Sequence, residues 1–174
     1  VLIETEANTE AFDEVILACH SDEALKLLAE PSREEQQILS AIRFSKNTAY
    51  LHTDRSRLPN RPKAWASWNY SIPRNKTADQ ARLTYNMNIL QHIPSLTQVL
   101  VTLNDPDIKP DTVIKTIEYS HPFYDAQMVR AQDRHGEISA QNRTHYCGAY
   151  WHYGFHEDGV KSALRVCQEL GVRW

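Results

Sequence analysis

Glycine is scarce in this sequence, with five among 174 residues, and none of them builds a GxGxxG turn. The unit that grips the ADP half of a dinucleotide, with an acidic residue about 20 positions further on, is therefore missing from these residues. Cysteine is nearly as rare. Cys19, Cys147 and Cys167 are odd in number and contain no close pair, which offers neither a disulfide framework nor a CxxC metal site and leads us to expect a reducing, cytoplasmic compartment. No apolar run reaches the roughly 18 residues that a membrane span needs. A basic excess is also lacking: the net charge is −3, and Lys and Arg are scattered among acidic residues, which removes the main electrostatic case for a nucleic-acid partner. The start, Val1-Leu2-Ile3-Glu4, has no basic n-region or apolar h-region. It reads like the middle of a β-strand, and we expect a chain cut from something longer.

What is present is globular. Hydrophobic residues make up 41% and charged residues 24%, values at which a chain folds. The length suits one domain, or one and a half. Val1 to Thr5 is β-prone, with a turn near Asn8-Thr9. Phe12 to Cys19 ends in a continuous apolar run that suits a strand covered on both faces of a parallel sheet. Ser21 is placed to cap a short helix with Ala24, Leu25 and Leu28 inward. Ser32 and Glu35 match a capping box ahead of Ile38, Leu39 and Ile42.

After Phe44 the period becomes two. Tyr50 and His52 alternate with Ala49 and Leu51; Ala64, Ala66, Trp68 and Tyr70 alternate with Trp65, Ser67 and Asn69. Leu83, Tyr85, Met87 and Ile89 alternate with polar neighbours, and Val99 to Leu103 and Val113 to Tyr119 complete the set. Such alternation predicts an antiparallel sheet with one buried, apolar face. Arg55 to Lys63 and Pro73 to Gln80 read as loops. Asp125 to Asp133 reads as a helix, and His145-Tyr146-Cys147 as a strand.

The last segment carries most of the functional information. Gly148, Gly154 and Gly159 fall in the twelve residues before a helix whose apolar stripe is Val160, Ala163, Leu164, Cys167 and Leu170, with Gly171 placed to end it. Glycine lets backbone approach a ligand closely, and a helix N-terminus presents unpaired N–H groups with partial positive charge. A strand, an aromatic-rich glycine loop and a helix head together suit a planar ligand that carries negative charge, such as a flavin.

Cys147-Gly148-Ala149-Tyr150, followed by Gly154-Phe155-His156-Glu157-Asp158-Gly159-Val160, resembles the C-terminal FAD motif of the flavin-containing amine oxidase superfamily. Phe12 to Ala18 resembles that family's strand of the form Asp-x-Val-Ile-x-Ala. Tyr119-Ser120-His121-Pro122 and Tyr146 to Trp151 are similar to a bacterial branch of predicted NAD/FAD-binding amine-oxidase-like proteins. The resemblance implies an FAD-dependent oxidoreductase that oxidises a C–N or C–C bond. It places Gly148 near the FAD pyrophosphate or ribityl chain, and Glu157, Asp158, Gly159 and Val160 with backbone N–H groups at the flavin pyrimidine edge. Ala149 and Gly154 belong to the same cofactor loop, and Tyr150, Trp151 and Tyr153 would line the ring or the substrate channel. Asp158 and Gly159 stand where the family more often has Gly and Ala, so Asp158 must point away from the ring or cap the helix. No lysine here matches the family's water-linked lysine, and no catalytic residue is assigned.

Plainer readings stand beside these. The three glycines could be turns and caps, and Tyr150, Trp151 and Tyr153 core aromatics. His152 and His156, with Glu157 adjacent, lack the unbroken helical spacing of a metalloprotease site, so no metal is expected. Cys147 reads as a small buried thiol. Cys19 and His20 are adjacent on a strand-like run and point apart, which denies them a dyad. Trp65, Trp68 and Asn69 could face a substrate cavity or simply pack. Asn75-Lys76-Thr77 and Asn142-Arg143-Thr144 match a glycosylation pattern by chance.

The expected fold class is α+β: part of an FAD/NAD(P)-binding α/β domain (residues 1–29 and 137–174) plus an antiparallel-sheet substrate domain with flanking helices (residues 30–136). The expected partners are a small-molecule or lipid-like substrate and a missing N-terminal ADP-binding part of the same protein. Alone, these residues are expected to bind FAD weakly or not at all. The competing reading is a non-catalytic binding or oligomerisation module.

Overall fold

The computed structural model describes residues 1–72 and 82–172; the expected loop over Pro73 to Gln80, with Asn75-Lys76-Thr77, lies outside them. The class is α+β. In chain order come strands β1 (Leu2–Glu4), β2 (Thr9–Ala11) and β3 (Val15–Leu17), then helices α1 (Ser21–Leu27) and α2 (Arg33–Ala41). Strand β4 (Phe44–His52) leads to β5 (Trp68–Ser71), β6 (Arg82–Asn86), the single turn α3 (Met87–Leu90) and β7 (Leu100–Leu103). Strand β8 (Val113–Pro122) is followed by α4 (Ala126–Asp133), β9 (Thr144–Tyr146) and α5 (His156–Glu169). Two compact units result, Val1–Ser45 with Pro122–Trp174, and Lys46–His121. The division differs from the 29/30 and 136/137 boundaries expected above, because α2 packs on both α1 and α4, which joins α2 and α4 to the first unit.

In the first unit, β1 and β2 form an exposed antiparallel hairpin closed by Thr5 and Asn8. Strand β3 pairs with β9 in parallel, as a βα-type layer requires. It is not covered on both faces, however, since Ile16 is 47% exposed. The core gathers Ala24, Ile38, Leu39, Ile42, Met128, Ala131, Ile138, Tyr146, Tyr150 and Trp151. Each fully buried aliphatic side chain here contributes roughly 1.5–3 kcal/mol against exposure.

Helix α2 starts where its capping box predicts: Ser32 Oγ accepts the Glu35 N–H at 3.1 Å, and Glu35 Oε2 accepts the Ser32 N–H at 2.7 Å. Helix α1 departs from expectation. Its N-cap is His20, whose N–H reaches Glu23 Oε2, while buried Ser21 donates its hydroxyl to the Ile42 carbonyl at 2.7 Å. A serine that can satisfy a distant carbonyl is worth more there than at a cap that Glu23 already serves.

The second unit holds most of a five-stranded sheet in the order β5-β6-β7-β4-β8, with β5–β6, β6–β7 and β7–β4 antiparallel. Its faces are the reverse of the alternation argument. The register Asn69–Thr84–Thr102 and the residues Asn86, Leu100 and His52 make one face, and all of these are buried. Trp68, Tyr70, Leu83, Tyr85, Val101 and Leu51 make the other, where Trp68 is 57% and Tyr70 62% exposed. The polar face is satisfied rather than solvated. His52 Nδ1 accepts the Asp54 N–H, which leaves Nε2 to donate to Thr102 Oγ1 at 2.7 Å, and Thr102 and Thr84 hydroxyls bond at 2.9 Å. Near it Arg57 pairs with Asp105 at 3.1 Å, and Arg82 with Asp105 and Asp107. The expected strand through Ile89 stops at Asn86, because the Asn86 side chain turns back to accept the Asn88 and Ile89 N–H groups and starts α3. Arg55 to Lys63 contains two 3₁₀ turns, the second of which takes up Ala64.

Burial holds the imidazole of His52 below its ordinary value of 6.5, as it does for His135 in the first unit, whose Nε2 bonds the Tyr146 carbonyl at 2.7 Å. Both are stabler neutral when folded than when unfolded. Their contribution is therefore complete above pH 6.5 and is lost as pH falls from 6.5 toward the folded values. The thermal midpoint is expected to drop between about pH 7.5 and pH 5.5, and a His52→Asn/His135→Gln variant to show a flatter pH profile.

Candidate functional site

The segment Gly148 to Val160 runs from the end of β9 through a 3₁₀ turn (Ala149–Trp151) to the head of α5. The helix starts at His156, four residues earlier than its apolar stripe suggested, with Phe155 as N-cap. Its inward stripe is Asp158, Ser162 and Val166; Val160, Ala163 and Leu170 are exposed. The reason is hydrogen bonding. Asp158 Oδ2 accepts the Phe155 N–H at 3.0 Å, and Ser162 Oγ accepts the Gly148 N–H at 2.9 Å. These bonds hold the loop against the helix.

Asp158 therefore caps the helix rather than facing outward, and it is 7% exposed. The Asp158 and Gly159 N–H groups are both turned to the Phe155 carbonyl. Those of His156 and Glu157 have no acceptor among the described residues. They are free donors at the positive end of a helix dipole. Gly148, Ala149 and Gly159 are partly exposed, and the Glu157 side chain lies in solvent near Lys161.

Two glycines are required. A Cβ on Gly148 would run into the buried Tyr150 ring, 2.8 Å from Cδ1. Gly154 has φ of +84°, and a Cβ there would lie 2.6 Å from Tyr124 Oη. A Gly154→Ala variant is expected to lose about 1–3 kcal/mol in a urea titration, through backbone strain and displacement of Tyr124. Gly159 has no such constraint, since a Cβ would meet Ala149 Cβ at an ordinary 3.9 Å.

The aromatic residues divide. Tyr150 and Trp151 are 5% and 3% exposed, and their side chains sit in the core against Phe44 and His135. Tyr153 is 80% exposed. Burial pushes the thiols of Cys147 and Cys19 up, the reverse of an activated nucleophile. His20 stacks on Phe44 with ring centroids 4.1 Å apart. Among the described residues no group of three or more His, Cys, Asp or Glu could hold a metal, and His152 and His156 both lie at the surface. Trp65 donates Nε1–H to the Pro59 carbonyl, and Asn69 ties Ala66 to Thr84, so Trp68 alone of that trio reaches the open face.

Sequence reasoning missed Ser162, the latch on Gly148, and Gln132, whose amide donates to the Tyr150 and His152 carbonyls at 2.8 and 2.7 Å. It also missed an open cleft of about 440 Å³ beside the loop, walled by Tyr124, Asp133, Trp151, His152 and Arg165. None has a local signature, because each partner is 14 or more residues away along the chain.

No family model matches the chain, and no curated protein matches it. Several solved structures share its fold. A candidate protoporphyrinogen oxidase from Exiguobacterium sp. 255-15 matches with a TM-score of 0.61 and 12% identity, and a fatty acid isomerase from P. acnes that produces CLA with 0.59 and 14%. Each match covers 98% of this chain and 44% of the other. The chain thus spans less than half the length of either neighbour. No helix among the described residues is long and apolar enough to cross a membrane.

Proposed function

We propose that this chain is the flavin-ring and substrate part of an FAD-dependent oxidoreductase of the amine-oxidase kind. The carrying observation is the pair of unclaimed N–H groups on His156 and Glu157, beside backbone kept bare at Gly148 and Gly154. That arrangement fits the electron-rich edge of a flavin. The donors are fixed before any ligand arrives, and of the two anionic side chains of the helix head, Asp158 is turned back onto Phe155 and Glu157 lies in solvent near Lys161. When bound, FAD supplies the two-electron acceptor for oxidation of a C–N or C–C bond. This chain's own residues orient the ring and exclude water, with Ser162 and Gln132 stiffening the loop that does so.

In the second unit, the open sheet face of Trp68, Tyr70 and Tyr85 suits an apolar, lipid-like substrate. That one fold neighbour acts on a fatty acid is in keeping with this. The same open face is the feature that favours the second reading, a binding or oligomerisation module without chemistry.

The test adds FAD to two proteins: this chain, and the chain extended by the residues encoded in frame ahead of Val1. The extended protein is expected to turn yellow, with the oxidised-flavin band at about 450 nm, and the shorter one to stay colourless. A folded extended protein that remains colourless removes the flavin reading and leaves the binding module.

A further inference from the structure

Cations and anions are mixed along most of the chain, but the 18 residues from Arg55 to Ile72 hold four cations, Arg55, Arg57, Arg61 and Lys63, and no Asp or Glu. Arg57 is committed to the fold, pairing with buried Asp54 and Asp105 at 3.7 and 3.1 Å. Arg55, Arg61 and Lys63 are exposed and make no ion pair among the described residues. The Arg55 guanidinium lies over the Trp65 ring, 5.1 Å from its centroid, and Trp65 is pinned by its Nε1–H to the Pro59 carbonyl at 2.8 Å. Three residues on, within about 10 Å of chain, begins β5, the outer strand of its sheet. Its exposed side chains Trp68 and Tyr70 are followed by Ile72, which is 80% exposed. The turn α3 is tied to the same loop by the Asn86 N–H, which donates to the Ser67 carbonyl at 2.9 Å, and it adds exposed Ile89 and Leu90.

We propose that this corner of the second unit docks on the surface of an anionic lipid bilayer. Trp and Tyr favour the headgroup level, where the ring body is apolar and the N–H or O–H is wet, and aliphatic side chains reach the acyl boundary beneath. Cations within a Debye length of the lipid phosphates, about 8–10 Å, add the electrostatic part. The nearest carboxylates along the chain do not cancel that field, because Asp54 and Asp105 are buried and already answered by Arg57 and Arg82. A nucleic acid fits less well. Three free cations neutralise few phosphates, and Ile72, Ile89 and Leu90 offer no ring on which a base could stack. The inference goes beyond the flavoenzyme reading and does not need it, although a bilayer contact here brings the open sheet face to the place where lipid-like molecules are found.

Co-sedimentation of the 174-residue chain with lipid vesicles tests it. The chain is expected to bind vesicles of phosphatidylcholine with phosphatidylserine, and to bind phosphatidylcholine alone about 100-fold more weakly, since each cation near an anionic surface is worth about fivefold. Arg61→Gln/Lys63→Gln should weaken binding to the anionic vesicles about 25-fold with an unchanged melting curve. Lys26→Gln/Arg33→Gln, the same change of charge in the first unit, should alter it less than about twofold. Brominated lipid should quench the tryptophan fluorescence, and Trp68→Phe should remove about half of that quenching or more. Equal binding to both kinds of vesicle, binding to neither, or equal losses from the two charge variants overturns the proposal. So does a single-stranded oligonucleotide that binds as tightly as the anionic vesicles while Trp68→Phe leaves the quenching unchanged, which would mark a polyanion site. The two readings fail separately: vesicle binding by a protein that takes up no FAD sinks only the flavin, and a flavin-binding protein that ignores vesicles sinks only the bilayer contact.

Discussion

A Trp151→Ala variant is expected to lose about 3–5 kcal/mol of unfolding free energy, read from the first transition in urea. The indole is 3% exposed, packs edge-on against His135 at 4.5 Å and leans on Tyr150 at 5.4 Å. It is also part of the core that α2 and α4 share, so its removal leaves a cavity that neighbours on rigid elements cannot close. Tyr153→Ala is the matched control. That side chain is 80% exposed, and its loss should change stability by no more than about 0.5 kcal/mol. Equal, small effects at both positions would mean that Trp151 faces a ligand space rather than the core.

Tyr146→Phe is the second large effect, expected at about 1.5–3 kcal/mol. Tyr146 is fully buried in β9, and its hydroxyl donates to Glu35 Oε1 at 2.6 Å, while Glu35 Oε2 accepts from Ser32. Burial, then the bond to Glu35, pushes the phenol far up, so the hydroxyl always donates. Taking it away leaves a carboxylate that is 5% exposed with one partner fewer. Glu35→Gln can keep the Ser32 bond through its amide oxygen and donate its NH2 to the phenol oxygen, but it leaves the buried phenol proton without its carboxylate acceptor, and should cost about 1–3 kcal/mol. In a double-mutant cycle the two changes should couple by about 0.5–3 kcal/mol. Strict additivity would remove the bond from the account of how α2 is tied to the sheet.

Much of this was legible beforehand because it is local. Ser32 and Glu35 are three apart and satisfy each other's backbone donors wherever the helix goes. Asp125 likewise accepts from Gln127 and Met128 at the start of α4. Gly171 follows α5 with φ of +79°, a conformation glycine adopts freely. The candidate loop could be marked out for the same reason: a strand, glycines and a helix head occur in sequence order.

What could not be read was direction. Alternation states that two faces of a strand differ, not which one is covered; Asn69, Thr84, Thr102 and His52 lie inside because their polar atoms find partners in one another and in the Asp54 turn. Periodicity gave α5 an apolar stripe, yet Asp158 and Ser162 turned inward to hold Phe155 and Gly148. By itself, then, the sequence determined the start of α2, the end of α5 and where backbone is bare, since caps and glycines act over a few residues. Tertiary structure alone decided which faces are buried, which aromatics are core and which sheet edge stays open, since those depend on partners far along the chain.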